Sequence, residues 1–117
     1  MFLRALSVRT GEKRWEQPML GSQSSWGGTL ATAGDLVFWG DLDRKFRAFD
    51  ADSGKILREM TLDGPIQNST ITYAVNGKQY VAVLVGLGGL STGLLRQAGL
   101  QPVSHNALYV FSLPDQR

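Results

Sequence analysis

Residues 46–55 read Phe-Arg-Ala-Phe-Asp-Ala-Asp-Ser-Gly-Lys, and residues 3–12 read Leu-Arg-Ala-Leu-Ser-Val-Arg-Thr-Gly-Glu. One run is the other displaced by 43 positions. Carried outward without a gap, the displacement sets Arg4 on Arg47, Ala5 on Ala48, Gly11 on Gly54, Glu16 on Glu59, Gly21 on Gly64, Thr29 on Thr72, Ala31 on Ala74 and Gly34 on Gly77. Unrelated segments of this composition would share roughly two residues over that span. The chain therefore carries an internal duplication, with repeats over 3–45 and 46–88. A strand-built repeat of this length is in the range of a propeller blade, whereas a helical one would show a 3.6-residue apolar period.

Local chemistry favours strands. Phe46 to Asp50 and Ile56 to Met60 flank Ala51-Asp-Ser-Gly-Lys55, a turn whose glycine can take positive φ. Leu3 to Ser7 and Arg14 to Gln17 flank Arg9-Thr-Gly-Glu12 in the same way. Asp35 to Gly40 is rich in β-formers, and Asn76-Gly77 between Ile71–Val75 and Lys78–Leu84 is a strong hairpin signal. Ala107 to Leu113 reads as a closing strand that echoes Lys45 to Ala51, with Leu108 displaced by 62 from Phe46. The excess over one period is an insertion, placed at 87–106. Inserted loops in repeat arrays tend to gather on one face, often the binding face. The expected fold is all-β: about two and a half four-stranded antiparallel blades. A blade cannot cover both faces of its own sheet, so residues 1–117 are expected to form the C-terminal portion of a larger propeller. Open edges are expected to leave Asp35 to Gly40 and Tyr80 to Leu84 partly unprotected.

Composition narrows the function. Of 117 residues, 12 are Lys or Arg and 10 are Asp or Glu, a balance of +2 with no basic stripe to neutralise several phosphates. Nucleic acid is therefore not an expected partner. No cysteine is present, so a disulfide framework, a thiolate metal site and a thiol nucleophile are excluded. Fourteen glycines suit many tight turns. No run resembles a secretory signal, and the apolar stretch Tyr80 to Leu90 is too short to cross a bilayer.

The repeated Ala5-x-Ser7-x-x-Thr10-Gly11-x-x-x-Trp15, echoed by Ala48-x-Asp50-x-x-Ser53-Gly54 with Arg58 in the tryptophan place, resembles the tryptophan-docking motif of quinoprotein propellers. The order of Trp26 to Gly40, Gly77-Lys-Gln-Tyr-Val-Ala-Val83, Gly86-Leu-Gly-Gly89 and Ala107 to Phe111 is similar to the C-terminus of PQQ-dependent methanol/ethanol-type dehydrogenases. That resemblance implies an eight-bladed propeller with pyrroloquinoline quinone (PQQ) on its axis and a calcium or lanthanide ion beside it. It implies oxidation of a small alcohol by hydride transfer to PQQ, a cytochrome c or quinone electron acceptor, and a periplasmic location. The remainder of the propeller would supply the aspartate base, the metal ligands, a stacking tryptophan and vicinal cysteines, for which no motif occurs here. Catalytic and metal-binding residues are thus not expected in this chain. Trp26 matches the tryptophan that reaches the PQQ edge, with Gly27 allowing close approach. Leu90 falls where methanol-oxidising members carry a Trp walling the substrate cavity, and so is expected to line the substrate pocket.

Plainer roles stand beside these. Trp26 could be a packing aromatic, and Gly27-Gly28 a strand-entry bulge. His105, with no partner at metal spacing, reads as a solvated loop residue; Asp35, Asp41 and Asp43 read as turn formers. Arg58 is expected to lay its stem on an aromatic face. A non-catalytic scaffold of similar repeats, of the outer-membrane assembly lipoprotein type, is the alternative function.

Overall fold

The computed structural model describes residues 2–18, 27–86, 93, 96–97, 99 and 105–112. Nine strands are present among them: β1 (Phe2–Leu6), β2 (Lys13–Pro18), β3 (Leu30–Ala31), β4 (Leu36–Gly40), β5 (Lys45–Asp50), β6 (Ile56–Thr61), β7 (Ile71–Val75), β8 (Lys78–Val85) and β9 (Ala107–Ser112). They form three antiparallel sheets in the orders β1-β2, β3-β4-β5-β6 and β7-β8-β9. The all-β reading holds, and the middle sheet has the four strands expected. The sequence repeats are cut out of phase with the sheets, because the boundary at 45/46 falls inside β5.

The duplication is clearest in the hairpins β1–β2 and β5–β6. Arg4 opposes Glu16 and Arg47 opposes Glu59; Ala5 opposes Trp15 and Ala48 opposes Arg58. Both ladders shift register at the same place, between Ala5 and Leu6 and between Ala48 and Phe49. Both turns carry glycine in the left-handed region, Gly11 at φ 74° and Gly54 at φ 76°. The second pair of hairpins departs from the repeat. Leu30 pairs with Phe38, but 43 residues on Tyr73 pairs with Tyr80, not Val81. The physical cause is the turn: Asn76 and Gly77 both take positive φ, 51° and 78°, in a two-residue connection, while β3 and β4 are joined through Asp35 at φ 61°. The identity of Gly34 and Gly77 is therefore one of letter, not of backbone role.

The core lies between the middle and third sheets. Phe46, Leu62, Ile66, Val83 and Val85 are buried there, with Phe38, Met60, Val81, Ala107, Tyr109 and Phe111 packed around them. Phe38, Phe46, Phe111 and Tyr109 form a stack with centroids 5.8–6.0 Å apart and planes within 9° of parallel. Phe49, on the opposite face of β5, stacks on Trp15 of β2 at 6.4 Å. One strand thus serves both neighbours.

Asp35 to Gly40 is better protected than open edges suggest. β4 lies inside its sheet, and Trp39 and Gly40 are buried. Exposed apolar side chains lie on the outer face of the third sheet, at Ile71, Tyr73, Val75, Leu84, Leu108 and Val110, and also at Phe2, Leu6 and Val8 of the first hairpin and at Ile56 and Leu57 of β6. Leu84 alone of the Tyr80 to Leu84 run is exposed, at 49%.

Candidate functional site

Because the strands alternate direction, the β4–β5 turn (41–44), the β6–β7 segment (62–70) and the β8–β9 connection emerge at one end. The 62–70 segment ties that end together. Leu62 N–H donates to the Arg44 carbonyl at 2.8 Å, and Ile66 N–H to the Asp41 carbonyl at 3.0 Å. Gly86 N–H donates to the Pro65 carbonyl at 3.0 Å, and His105 N–H to the Asp63 carbonyl at 3.2 Å. Gln67 Nε2 returns to the Gly86 carbonyl at 2.9 Å. Ile66, only 1% exposed, is the hydrophobic pin of this segment. It fits because residue 40 is glycine: a Cβ there would lie 2.5 Å from the Ile66 side chain.

Two carboxylates fix the same end. Asp41 is buried; its Oδ1 accepts from the Asp43 N–H at 2.9 Å and the Lys45 N–H at 3.0 Å, and its Oδ2 from Arg47 Nη1 at 2.7 Å. Arg47 Nε also donates to Glu59 at 3.0 Å. Burial works to lower the Arg47 pKa, but the bonds to Asp41 and Glu59 outweigh it and raise it above the ordinary value. Asp63 accepts from the Tyr109 hydroxyl at 2.5 Å, and that bond, aided by desolvation, raises the tyrosine pKa. In the first sheet the bond from Arg4, and then that from Lys13, lower the pKa of Glu16. Asp41 is a turn former, as its place in the sequence suggested, and also the buried half of an ion pair. No sequence pattern announces that pairing; the Arg/Glu identities at the repeat spacing trace only the Arg47–Glu59 pair.

Trp26 and Leu90, the expected cofactor and substrate contacts, lie outside the described residues, as does most of 87–106. Gly27 is described, and its carbonyl accepts from the Trp39 indole at 3.4 Å. A Cβ on Gly27 would come within 2.7 Å of the Asn68 carbonyl oxygen. The fold itself thus asks for glycine at 27, on the side that faces the 62–70 backbone. A Cβ on Gly28 would lie 3.1 Å from Ser69 Oγ. The exposed residues Asn68 and Ser69 thus flank the Gly27-Gly28 segment, the first through its backbone and the second through its hydroxyl. His105 is exposed, as expected of a loop histidine. Arg58 is exposed.

At the opposite end the expected tryptophan docking is present. The Trp15 ring lies over Gly54, where a Cβ would meet its Cδ2 and Cε3 at 2.5 Å. Trp15 Nε1 donates to the Ala51 carbonyl at 2.7 Å, and Gln17 Nε2 to the Gly54 carbonyl at 2.6 Å. The second donor, Gln17, was not singled out by the sequence motif.

Residues 16–81 match the model of a family described as the glucose/ethanol/alcohol dehydrogenase β-propeller domain, PQQ type. The lanthanide-dependent methanol dehydrogenase of Methylorubrum extorquens is 40% identical over 122 aligned residues, which take in 90% of this chain and 20% of that protein. A solved europium-containing methanol dehydrogenase superposes with a TM-score of 0.79 at 30% identity, over 96% of this chain and 23% of the other. BamB from Moraxella catarrhalis superposes with a TM-score of 0.51 at 17% identity over 73% of this chain, a likeness of fold alone. The chain spans a fifth or less of the curated relatives' length. With its repeat, its sheets and its glycine-seated tryptophan, the chain belongs to the PQQ-type dehydrogenase β-propeller family.

Proposed function

We propose that this chain is part of the propeller of a PQQ-dependent alcohol dehydrogenase, its C-terminal portion, and that it contributes blade packing and one wall of the cofactor site. The identity of 40% across 90% of the chain to a methanol dehydrogenase carries this reading. The propeller is eight-bladed and periplasmic, as the resemblance implies, and its other blades bring the base and the calcium or lanthanide ligands. A bound PQQ would supply the two-electron acceptor for a hydride from a small alcohol, with electrons passing to a cytochrome c or a quinone.

Within that site this chain orients and walls. Trp26 meets the cofactor edge, Leu90 borders the substrate pocket, and the Gly27–Asn68 backbone contact fixes the segment that carries Trp26. Orientation alone abstracts no proton, so the 117-residue chain by itself turns over no alcohol. The test is dye-coupled alcohol oxidation by the full-length parent with PQQ and Ca²⁺ or a lanthanide. Trp26→Ala should lower PQQ retention or turnover, and Lys13→Ala, on an exposed strand, should change neither. Turnover by the isolated chain, or a parent indifferent to Trp26→Ala, overturns the proposal and favours a scaffold.

A further inference from the structure

Gly86 follows β8 and opens the connection to β9. Its φ of 137° is a conformation that residues with a side chain rarely adopt. Pro65, Gln67, Asn106 and Gly64 hold it there. Its N–H donates to the Pro65 carbonyl at 3.0 Å, and its carbonyl accepts from Gln67 Nε2 at 2.9 Å. Asn106 Oδ1 fills the place where a Cβ would stand, and Gly64 lies so close that its own Cβ would be 3.2 Å from the Gly86 nitrogen. At the far end of the connection His105 N–H donates to the Asp63 carbonyl, and Ala107 pairs with Val85. Both ends are thus rooted on residues 63–67 or on β8 beside them. The ladder and the main-chain bonds belong to the fold; the Gln67 bond is added by a side chain where strand geometry asks for none. The next residue, Asn68, sets its carbonyl against Gly27. Two adjacent residues therefore hold the chain just after β8 and shortly before β3.

We infer that Gln67 is a positioning residue for substrate choice. By fixing the Gly86 peptide it sets the direction in which the chain leaves β8 toward Leu90, and it does so without touching the alcohol. This rests on the reading above, in which Leu90 borders the substrate pocket. Glycine has no side chain to resist rotation of its peptide planes, so the direction at this position depends on what the neighbours bond. The Gln67 amide bonds the Gly86 carbonyl, which belongs to the peptide leading on to residue 87. The Pro65 carbonyl bonds the Gly86 N–H, which belongs to the peptide arriving from β8. The first bond acts on the outgoing chain, the second on the incoming strand. A shifted pocket wall changes how well alcohols of different size fit, but it moves no proton. The consequence therefore falls on the choice between alcohols, which a pocket sets through its contacts with each methylene.

The test uses the full-length parent, loaded with PQQ and Ca²⁺ or a lanthanide, carrying Gln67→Leu, Gln67→Lys or Gln79→Leu. Leucine removes the donor at similar volume, and lysine keeps a donor on a longer stem. Gln79 is the control: it gives up an amide bond of the same length, to Thr72 Oγ1 at 2.9 Å, away from the 62–70 segment. Two quantities are read. The ratio of kcat/KM for 1-butanol to that for methanol does not depend on how much enzyme is folded, so a merely structural role leaves it unmoved. Tryptic cleavage after Arg96, followed by mass spectrometry, reports on the connection without alcohol turnover; Arg96 is exposed and is the only Lys or Arg between Lys78 and Arg117. Gln67→Leu should bring the ratio at least about threefold nearer to one and speed cleavage about fivefold, as the loss of one hydrogen bond allows. Gln67→Lys and Gln79→Leu should leave both quantities within about twofold of the parent. Faster cleavage with an unmoved ratio makes Gln67 a structural staple only and overturns the inference, as does cleavage at the parental rate. If Gln67→Lys shifts as far as Gln67→Leu, the donor is not what acts, and the inference falls. A wild-type parent that oxidises neither alcohol overturns the dehydrogenase reading, and this inference with it, before any variant is compared.

Discussion

Replacing Asp41 separates turn capping from ion pairing at the joined loop end. Its side chain is 2% exposed, that of Arg47 13% and that of Glu59 43%. Asp41→Ala removes both caps of the 41–45 turn and leaves a largely buried guanidinium with one carboxylate at the rim, a loss of about 3–5 kcal/mol. Asp41→Asn keeps an oxygen for the Asp43 and Lys45 amides and loses only the charged contact, a loss of about 1–3 kcal/mol. Glu59→Ala removes a pair open to water and should cost at most about 1 kcal/mol. Urea unfolding followed by tryptophan emission gives the three values, with trimethylamine oxide present so that the weakest variant starts folded. The slope against urea should be unchanged. If Asp41→Asn costs as much as Asp41→Ala, the caps contribute nothing; if Glu59→Ala matches Asp41→Ala, burial does not set the ranking. Either result refutes the reasoning.

Gly54→Ala combines left-handed strain with a collision under Trp15, and should cost about 2–4 kcal/mol; Gly77→Ala, with strain alone, should cost less, as read from denaturation midpoints. Trp15 emission should shift to the red only in the Gly54 variant. The raised Tyr109 pKa stabilises the fold fully below the ordinary tyrosine value of about 10 and loses that contribution as pH rises through the folded value. Tyr109→Phe should lower the stability at neutral pH, where that contribution is fully present, and flatten the alkaline limb of a stability–pH curve. Leu108→Thr with Val110→Thr, on the open outer face of the third sheet, should raise the soluble fraction on sedimentation without lowering the unfolding midpoint.

The strand order and the docking tryptophan were legible because each has a local signature: a turn with glycine, alternating residues, a letter repeated at fixed distance. The β1–β2 and β5–β6 register followed from Arg4/Arg47 and Glu16/Glu59 for the same reason. The 62–70 segment was not legible. Its work is done by backbone groups and by one isoleucine pinned over Gly40, and neither leaves a periodic trace. Gly27 was read as room for a cofactor, and the fold also brings the Asn68 carbonyl against it; a glycine in the sequence shows that something approaches closely but not what. The repeat bounds do not coincide with sheet bounds, because a repeat shows its period but not its phase.

The ring stack from Phe38 through Phe46 and Phe111 to Tyr109 has a mechanical meaning. Near-parallel faces can slip past one another at little cost, but tilting opens a gap on one side and forces overlap on the other. Of the three ring pairs only Phe46–Phe111 joins the two sheets, so tilting the third sheet against the middle one works against that pair as well as against the 62–70 bonds. Phe46→Leu would keep the interface apolar while removing the ring that both Phe38 and Phe111 face.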